Sequence, residues 1–252
     1  MPFYGKVGVC IDNSNVASII HNIKRPVVTF GVHGEAEIKA SDLCFEDNHS
    51  KFKLSVHGET KGVLTVHVPG EHNVKNALGA VVLALELDVP FKKIQLGLDQ
   101  YTGVRRRFDI KYITKNNIMI IDDYAHHPSE VSATLQAAKS GWNRRVIAVF
   151  QPHLFTRTRD FCHDFAQAFQ ESDILIVTDI YAAREEPIDG ITAKIIVDEA
   201  ERLGHGNIEY IIDQNDIPRR LKDIVQPEDM IITMGAGNIW RQCEGIYEAI
   251  KN

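Results

Sequence analysis

From residue 118 to its end the chain repeats one pattern: a short, continuous apolar run rich in β-branched residues, then a longer stretch of helical character. The apolar runs are 118–121, 146–150, 174–178, 209–212 and 230–234, and the helical stretches between and after them are 129–139, 158–170, 192–203, 217–225 and 239–250. A strand that is apolar on both faces must be covered on both faces. A parallel sheet flanked by helices satisfies that need. The pattern predicts an α/β fold, a doubly wound, Rossmann-like sheet, for the second part of the chain.

The first hundred residues have a different texture. Runs 7–11 and 27–30 read as short strands, with a helix predicted over 15–23 between them. Runs 37–45, 51–57 and 63–68 alternate in polarity and are separated by Asp47-Asn48-His49-Ser50 and by the segment from Gly58 to Gly62, both of turn composition. That arrangement predicts an antiparallel meander. Pro69-Gly70 then breaks the chain ahead of a long helix over 71–87, and a second helix over 91–101 follows Pro90. The change of texture falls at 101–106, where Gly103 suits a hinge, so the expected domains are 1–103 and 104–252.

A net charge of −6 argues against a protein built to grip nucleic acid, which needs a basic surface. Anionic ligands stay open, because local arginines and helix N-termini hold phosphates inside acidic proteins. No apolar run approaches the ~20 residues of a membrane span, and no basic region followed by an apolar stretch opens the chain. The four cysteines, Cys10, Cys44, Cys162 and Cys243, form no C-x-x-C pair. Reduced thiols in a cytoplasmic protein are the expectation.

Ligands of open parallel sheets bind beyond the carboxyl ends of the strands. Run 118–121 is followed by Asp122-Asp123-Tyr124-Ala125-His126-His127-Pro128, and run 146–150 by Gln151-Pro152-His153-Leu154-Phe155-Thr156-Arg157. Asp179-Ile180-Tyr181 follows the third run, and Gly235-Ala236-Gly237-Asn238 the last. These groups are expected to converge on one edge. Asp and Asn also cap helices, which accounts for some of them. The short G-x-G turn is compatible with an anion at a helix N-terminus, though a plain tight turn explains it as well.

The first two loops resemble the C-terminal domain of the Mur ligase family, and within it the UDP-N-acetylmuramate–L-alanine ligase group. Gly70-Glu71-His72-Asn73-Val74-Lys75-Asn76-Ala77 resembles the family's H-N-x-x-N-A element, and Gly103-Val104-Arg105-Arg106-Arg107-Phe108-Asp109 its linker ending in Arg-Phe. The four motifs stand in the family's order across almost the whole chain. The resemblance implies that residues 1–103 are the end of the family's central ATP-binding domain and that 104–252 recruit the amino acid. It implies part of an ATP-dependent ligase of peptidoglycan synthesis, with UDP-N-acetylmuramate and L-alanine as substrates and ATP and magnesium as cofactors.

By resemblance, His72, Asn73 and Asn76 hold the adenine, an amide being able to donate and accept at one edge. Without it, Asn73 and Asn76 read as a helix cap and a solvated side chain. Arg107 aligns with the linker arginine aimed at the nucleotide, a rigid fork of donors suited to phosphate, and Asp123 with an acidic residue near the ribose. Tyr124, His126, His153 and Arg157 then face the amino acid, with Arg157 on its carboxylate. His126 or His153 would orient the amine or accept its proton. Leu154 departs from the family, several of whose members carry Arg there. Asp122 and His127 are expected to be structural.

No G-x-x-x-x-G-K-[ST] loop is present. Gly31-Val32-His33-Gly34-Glu35 resembles the family's phosphate loop but carries Glu where Lys belongs. The phosphate loop, the magnesium ligands and the UDP-binding domain are expected ahead of residue 1, leaving this chain inactive alone and prone to self-association through an incomplete sheet. Two other readings stand beside the ligase. One is a non-catalytic nucleotide- or amino-acid-binding module. The other is a metal-dependent hydrolase using Asp122, Asp123, His126, His127, His153 and Asp179.

Overall fold

A computed structural model describes residues 5–251, which divide into two compact units at the boundary between Gly103 and Val104. Each is taken by itself.

The first unit runs β1 (Val7–Cys10), α1 (Ser14–Ser18), a 3-10 turn (Ile20–Asn22), β2 (Val27–Gly31), β3 (Ile38–Glu46), β4 (His49–Val56), β5 (Glu59–Val66), α2 (Glu71–Glu86) and α3 (Phe91–Asp99). Its sheet has the order β1-β2-β3-β4-β5, parallel from β1 to β3 and antiparallel from β3 to β5. On β4, Phe52 and Leu54 turn inward while Lys51 and Lys53 turn out, the period-two pattern that fixes a register. Leu64 and Val66 join them, and α2 closes the core with Val74, Leu78, Val81 and Val82.

The hairpin between β4 and β5 is tighter than the sequence predicts. His57 (φ 47°) and Gly58 (φ 80°) make the whole turn, a two-residue connection whose positive φ values match strand twist. Gly62, expected in the turn, lies inside β5 beside a register shift, where the Phe91 ring packs 3.2 Å from the position a Cβ would take. The helix expected over 15–23 is only α1 and the 3-10 turn. It is capped by Asn13, whose side chain accepts from the N–H groups of Asn15 and Val16, and it buries no side chain that would extend it.

The second unit runs β6 (Asp109–Ile113), β7 (Met119–Asp123), α4 (Pro128–Gly141), β8 (Val146–Phe150), α5 (Phe155–Asp160), α6 (Cys162–Ala168), β9 (Ile174–Val177), α7 (Lys194–Arg202), β10 (Ile208–Tyr210), α8 (Ile217–Ile224), β11 (Met230–Met234) and α9 (Gln242–Ile250). The sheet order is β10-β9-β8-β11-β7-β6, parallel throughout except for β6 against β7. Helices cover both faces. Phe150 packs with Phe165, Phe169, Val131 and Leu135 on one side, and Ile147 and Val149 with Ile217, Ile231 and Ile246 on the other. This is the doubly wound α/β sheet predicted by the apolar runs.

Two elements differ from expectation. Strand β6 alternates polarity, as an antiparallel edge does, so a search for continuous apolar runs passes over it. The single helix expected over 158–170 is α5 and α6, broken at Phe161 (φ −113°, ψ 19°). Among the described residues no helix is long and apolar enough to cross a membrane.

Candidate functional site

Strand β7 ends in the two carboxylates. Asp122 accepts the Arg106 Nε–H at 3.0 Å and the Thr233 hydroxyl at 3.0 Å. Burial pushes its pKa up, and the Arg106 guanidinium only partly offsets this. Asp123 is 5% exposed, and its two oxygens accept the backbone N–H groups of Phe108 and Ala125, each at 2.8 Å. Burial pushes its carboxyl to about 6 against the pull of those two N–H groups and of Arg107. Asp123, expected near a ribose, therefore pins the linker to the loop with both oxygens engaged.

The linker explains which arginine is presented. Arg106 (φ 61°) and Phe108 (φ 46°) are left-handed, a conformation that needs support in non-glycine residues. Arg106 is anchored on Asp122 and on the Gly235 carbonyl at 2.7 Å, with its guanidinium 4.8 Å from the Tyr124 ring centre. Phe108 stacks on Trp142 at 5.2 Å. Arg107, between these two anchored residues, keeps its side chain 52% exposed, 3.4 Å from Glu130 and 5.5 Å from the Tyr124 ring centre.

The loops after β7 and β8 meet. The His126 ring lies 5.1 Å from Tyr124 and 6.0 Å from His153, both edge-on. Arg157 reaches the His126 carbonyl and the His153 Nδ1, each at 3.5 Å. Burial, then Arg157 and His126, draws the His153 pKa down. Because Arg157 only donates, His153 offers Nδ1 as acceptor. The structure thus brings Tyr124, His126, His153 and Arg157 together at the carboxyl edge of one sheet. Between them Leu154 holds φ 73°, a strained value for leucine, fixed by its N–H on the Tyr181 carbonyl at 3.0 Å.

Several neighbours carry roles that sequence reasoning did not assign. Tyr181, in the strand-end loop after β9, stacks on His153 at 5.8 Å. Glu185 accepts both the N–H and the hydroxyl of Thr156. Glu130 accepts the His126 N–H at 3.0 Å. His127 caps α4, its Nδ1 facing Ser129.

The Gly235–Asn238 turn is filled from within. Gln151 Oε1 accepts the N–H groups of Asn238 and Ile239 at 3.0 and 3.2 Å, so these donors are already paired. A Cβ on Gly237 would run into that oxygen and stand 2.7 Å from Tyr181 Cγ. A tight turn, not an anion site, accounts for both glycines. Among the described residues no three His, Cys, Asp or Glu are placed to hold a metal ion. Asp122 and Asp123 are engaged as above, and Asp179 accepts the Tyr210 hydroxyl.

In the first unit, Asn73 donates to the Pro69 carbonyl at 2.7 Å and accepts from Asn76 at 3.3 Å. Asn73 is thus a helix-start anchor that orients Asn76, and Asn76 is the more exposed of the two. Both line a cleft of about 530 Å³ between α2 and α3, walled by Ala80, Ala84, Leu98 and Tyr101. His72 occupies the same first turn of α2.

The loop resembling a phosphate grip is a backbone nest whose anion belongs to the chain. Asp12 accepts the N–H groups of Val32, His33 and Gly34 at 2.9, 3.0 and 3.4 Å. Burial raises the Asp12 pKa, but those bonds and Lys75 outweigh it and hold the carboxyl low. Lys75 also pairs with Glu71 at 2.8 Å, and Glu71 with His33 Nε2 at 2.8 Å. Gly31 is required because a Cβ there would stand 2.7 Å from Asp12 Oδ1.

Residues 3–84 match the Mur ligase middle domain and residues 106–237 the Mur ligase glutamate ligase domain. A UDP-N-acetylmuramate–L-alanine ligase of Salinibacter ruber is 43% identical over 253 residues, which is 100% of this chain and 53% of that protein. The chain spans about half the length of the curated relatives it matches. The crystal structure of a UDP-N-acetylmuramate–alanine ligase from Thermotoga maritima has a TM-score of 0.75 at 29% identity, over 88% of this chain and 47% of that one. A MurF ligase from the same organism, solved in complex with ADP, shares the fold with a TM-score of 0.72 at 14% identity, over 99% and 53% of the two chains. With both units matched and a relative at 43% identity along the whole of this chain, the chain belongs to the Mur ligase family.

Proposed function

We propose that this chain works as part of an ATP-dependent ligase that joins L-alanine to UDP-N-acetylmuramate in peptidoglycan synthesis, and that it does not turn over alone. The meeting of the β7 and β8 loops, which gathers Tyr124, His126, His153 and Arg157, carries the reading. In it the Arg157 guanidinium binds the alanine carboxylate. His126 accepts the proton that the amine loses as it attacks, and His153 orients that amine.

Asn76 reads the adenine edge, with Asn73 and His72 shaping the start of α2 and the apolar cleft receiving the ring. The cleft suits a flat base: it joins mostly apolar walls to the amides of Asn73 and Asn76, the usual make-up of a small-ligand pocket. Arg107 reaches the phosphates. ATP with magnesium supplies the phosphoryl group that turns the muramoyl carboxylate into an acyl phosphate. Asp123 serves this nucleotide edge by fixing Arg107's loop. The exposed edge at β1 supports self-association of the isolated chain.

The test is ATP-dependent incorporation of labelled alanine by the longer protein that contains this chain. Arg157→Ala should raise the KM for alanine, and Asn76→Ala the KM for ATP, each by about 10-fold or more. Normal incorporation by both variants, or incorporation without ATP, would refute the reading.

A further inference from the structure

Glu130 is the third residue of α4, a place where a glutamate closes a capping box by accepting a backbone N–H from before the helix. It does so here, on His126. Capping does not explain its other two contacts. The same oxygen, Oε2, lies 3.2 Å from His126 Nδ1, and Oε1 lies 3.4 Å from Arg107. His126 Nδ1 is also 2.8 Å from the Tyr124 carbonyl.

A carbonyl and an ionised carboxylate both only accept, so Nδ1 must carry the hydrogen. Burial raises the Glu130 pKa, but the His126 N–H, His126 itself and Arg107 outweigh it, and the group stays ionised. Neutral His126 is thereby restricted to one tautomer, with Nε2 bare. A histidine side chain free in water favours the opposite one.

Resting on the ligase reading above, we propose that Glu130 is a positioning residue for amide formation, holding His126 with Nε2 bare and turned to the incoming amine. Its second oxygen ties this base to Arg107, the residue assigned to the nucleotide. One carboxylate thus connects the two halves of the reaction. The step it serves balances within the site: the ammonium of L-alanine gives one proton to His126 Nε2 as its nitrogen comes to attack, the C–N bond forms as the acyl–phosphate C–O bond breaks, and the second proton leaves with the released phosphate.

Two experiments test this independently of each other. In the present chain, ¹⁵N shifts of the His126 ring should report the Nδ1–H tautomer at a pH where the ring is neutral. Finding the Nε2–H form overturns the proposal whatever the enzyme's reaction.

In the longer protein, Glu130→Gln keeps a capping acceptor but removes the charge, so melting should be unchanged. Ligation of alanine should fall about 100-fold in kcat with the KM for ATP held, the size of a general-base contribution. Hydroxylamine, a nucleophile already unprotonated near neutral pH, should form hydroxamate at the wild-type rate in the same variant. Equal losses with both nucleophiles, or no loss with alanine, overturn the positioning role. No ligation by wild type with the expected tautomer in place sinks the ligase reading instead.

Discussion

Gly237→Ala isolates the packing that supports the histidine cluster. Gly237 is not a left-handed residue, so the cost of a methyl there is steric and not conformational. That methyl would collide with Gln151 Oε1 and stand 2.7 and 2.9 Å from Tyr181 Cγ and Cβ. Gln151 can swing away only by abandoning the N–H groups of Asn238 and Ile239, at about 1 kcal/mol each. Tyr181 is held by backbone bonds on both sides, its N–H to Pro152 and its carbonyl to Leu154, so its displacement adds about 1–3 kcal/mol. The sum is about 3–5 kcal/mol, a large part of the stability of an ordinary domain.

Both tryptophans, Trp142 and Trp240, lie in 104–252, so fluorescence-detected urea unfolding reads that unit alone. Gly206→Ala is the control in the same unit: nothing lies within 4 Å of its Cβ position, and the expected change is zero to about 1 kcal/mol of stabilisation. Tyr181 also stacks on His153, so Gly237→Ala should shift the His153 ring resonances, which the control leaves in place. A midpoint for Gly237→Ala within about 1 kcal/mol of wild type, with m unchanged, would refute the packing argument.

Asp12→Ala leaves three N–H groups of the 32–34 loop without their acceptor and should destabilise the first unit by about 2–4 kcal/mol, seen as faster amide exchange in that loop than in β4. For Asp123, the folded carboxyl titrates at about 6 against ~3.9 in the unfolded chain. Its contribution is therefore present below about pH 4 and lost as pH rises to about 6, a swing of about 3 kcal/mol that Asp123→Asn should remove from the pH profile of the fluorescence transition. His205 behaves oppositely. Burial holds its pKa down, its Nδ1 has no hydrogen-bond partner among the described residues, and Asp173 is the charged group that opposes the shift. Its contribution is present above ~6.5 and lost as pH falls below that, and His205→Gln should flatten the acid side of the same profile.

Much of this molecule is legible in its sequence because its dominant forces are periodic. Strands β8 and β11 coincide with their apolar runs, since residues buried on both faces leave no polar interruption to blur the ends. The helices of the second unit begin within a few residues of expectation for the same reason. What escaped was decided by single contacts. Strand β6 is an edge and alternates, Gly62 sits inside β5 because Phe91 packs against it, and α5 parts from α6 at one residue outside helical geometry. The last two leave no periodic trace, and the alternation of β6 runs over only five residues.

The site divides along the same line. Which loops would carry chemistry followed from the topology, because strand ends in a parallel sheet must point one way. What each polar atom does there did not follow, because type and position say nothing about pairing. Asp12, Asp123 and Gln151 each place an oxygen on backbone N–H groups that, left open, would have formed an anion site. A nest filled by its own side chain and a nest awaiting phosphate use the same glycines, so composition alone cannot separate them. The discriminating signal is an acidic or amide side chain at a neighbouring strand end, where it can reach the turn: Asp12 after β1 for the loop after β2, and Gln151 after β8 for the turn after β11. Removing that side chain should therefore create anion affinity where none existed. In Gln151→Gly, a sulfate or phosphate titration followed by the Asn238 and Ile239 amide resonances should saturate. The same titration in wild type should leave those two resonances in place, and a response there would mean that the turn was open all along.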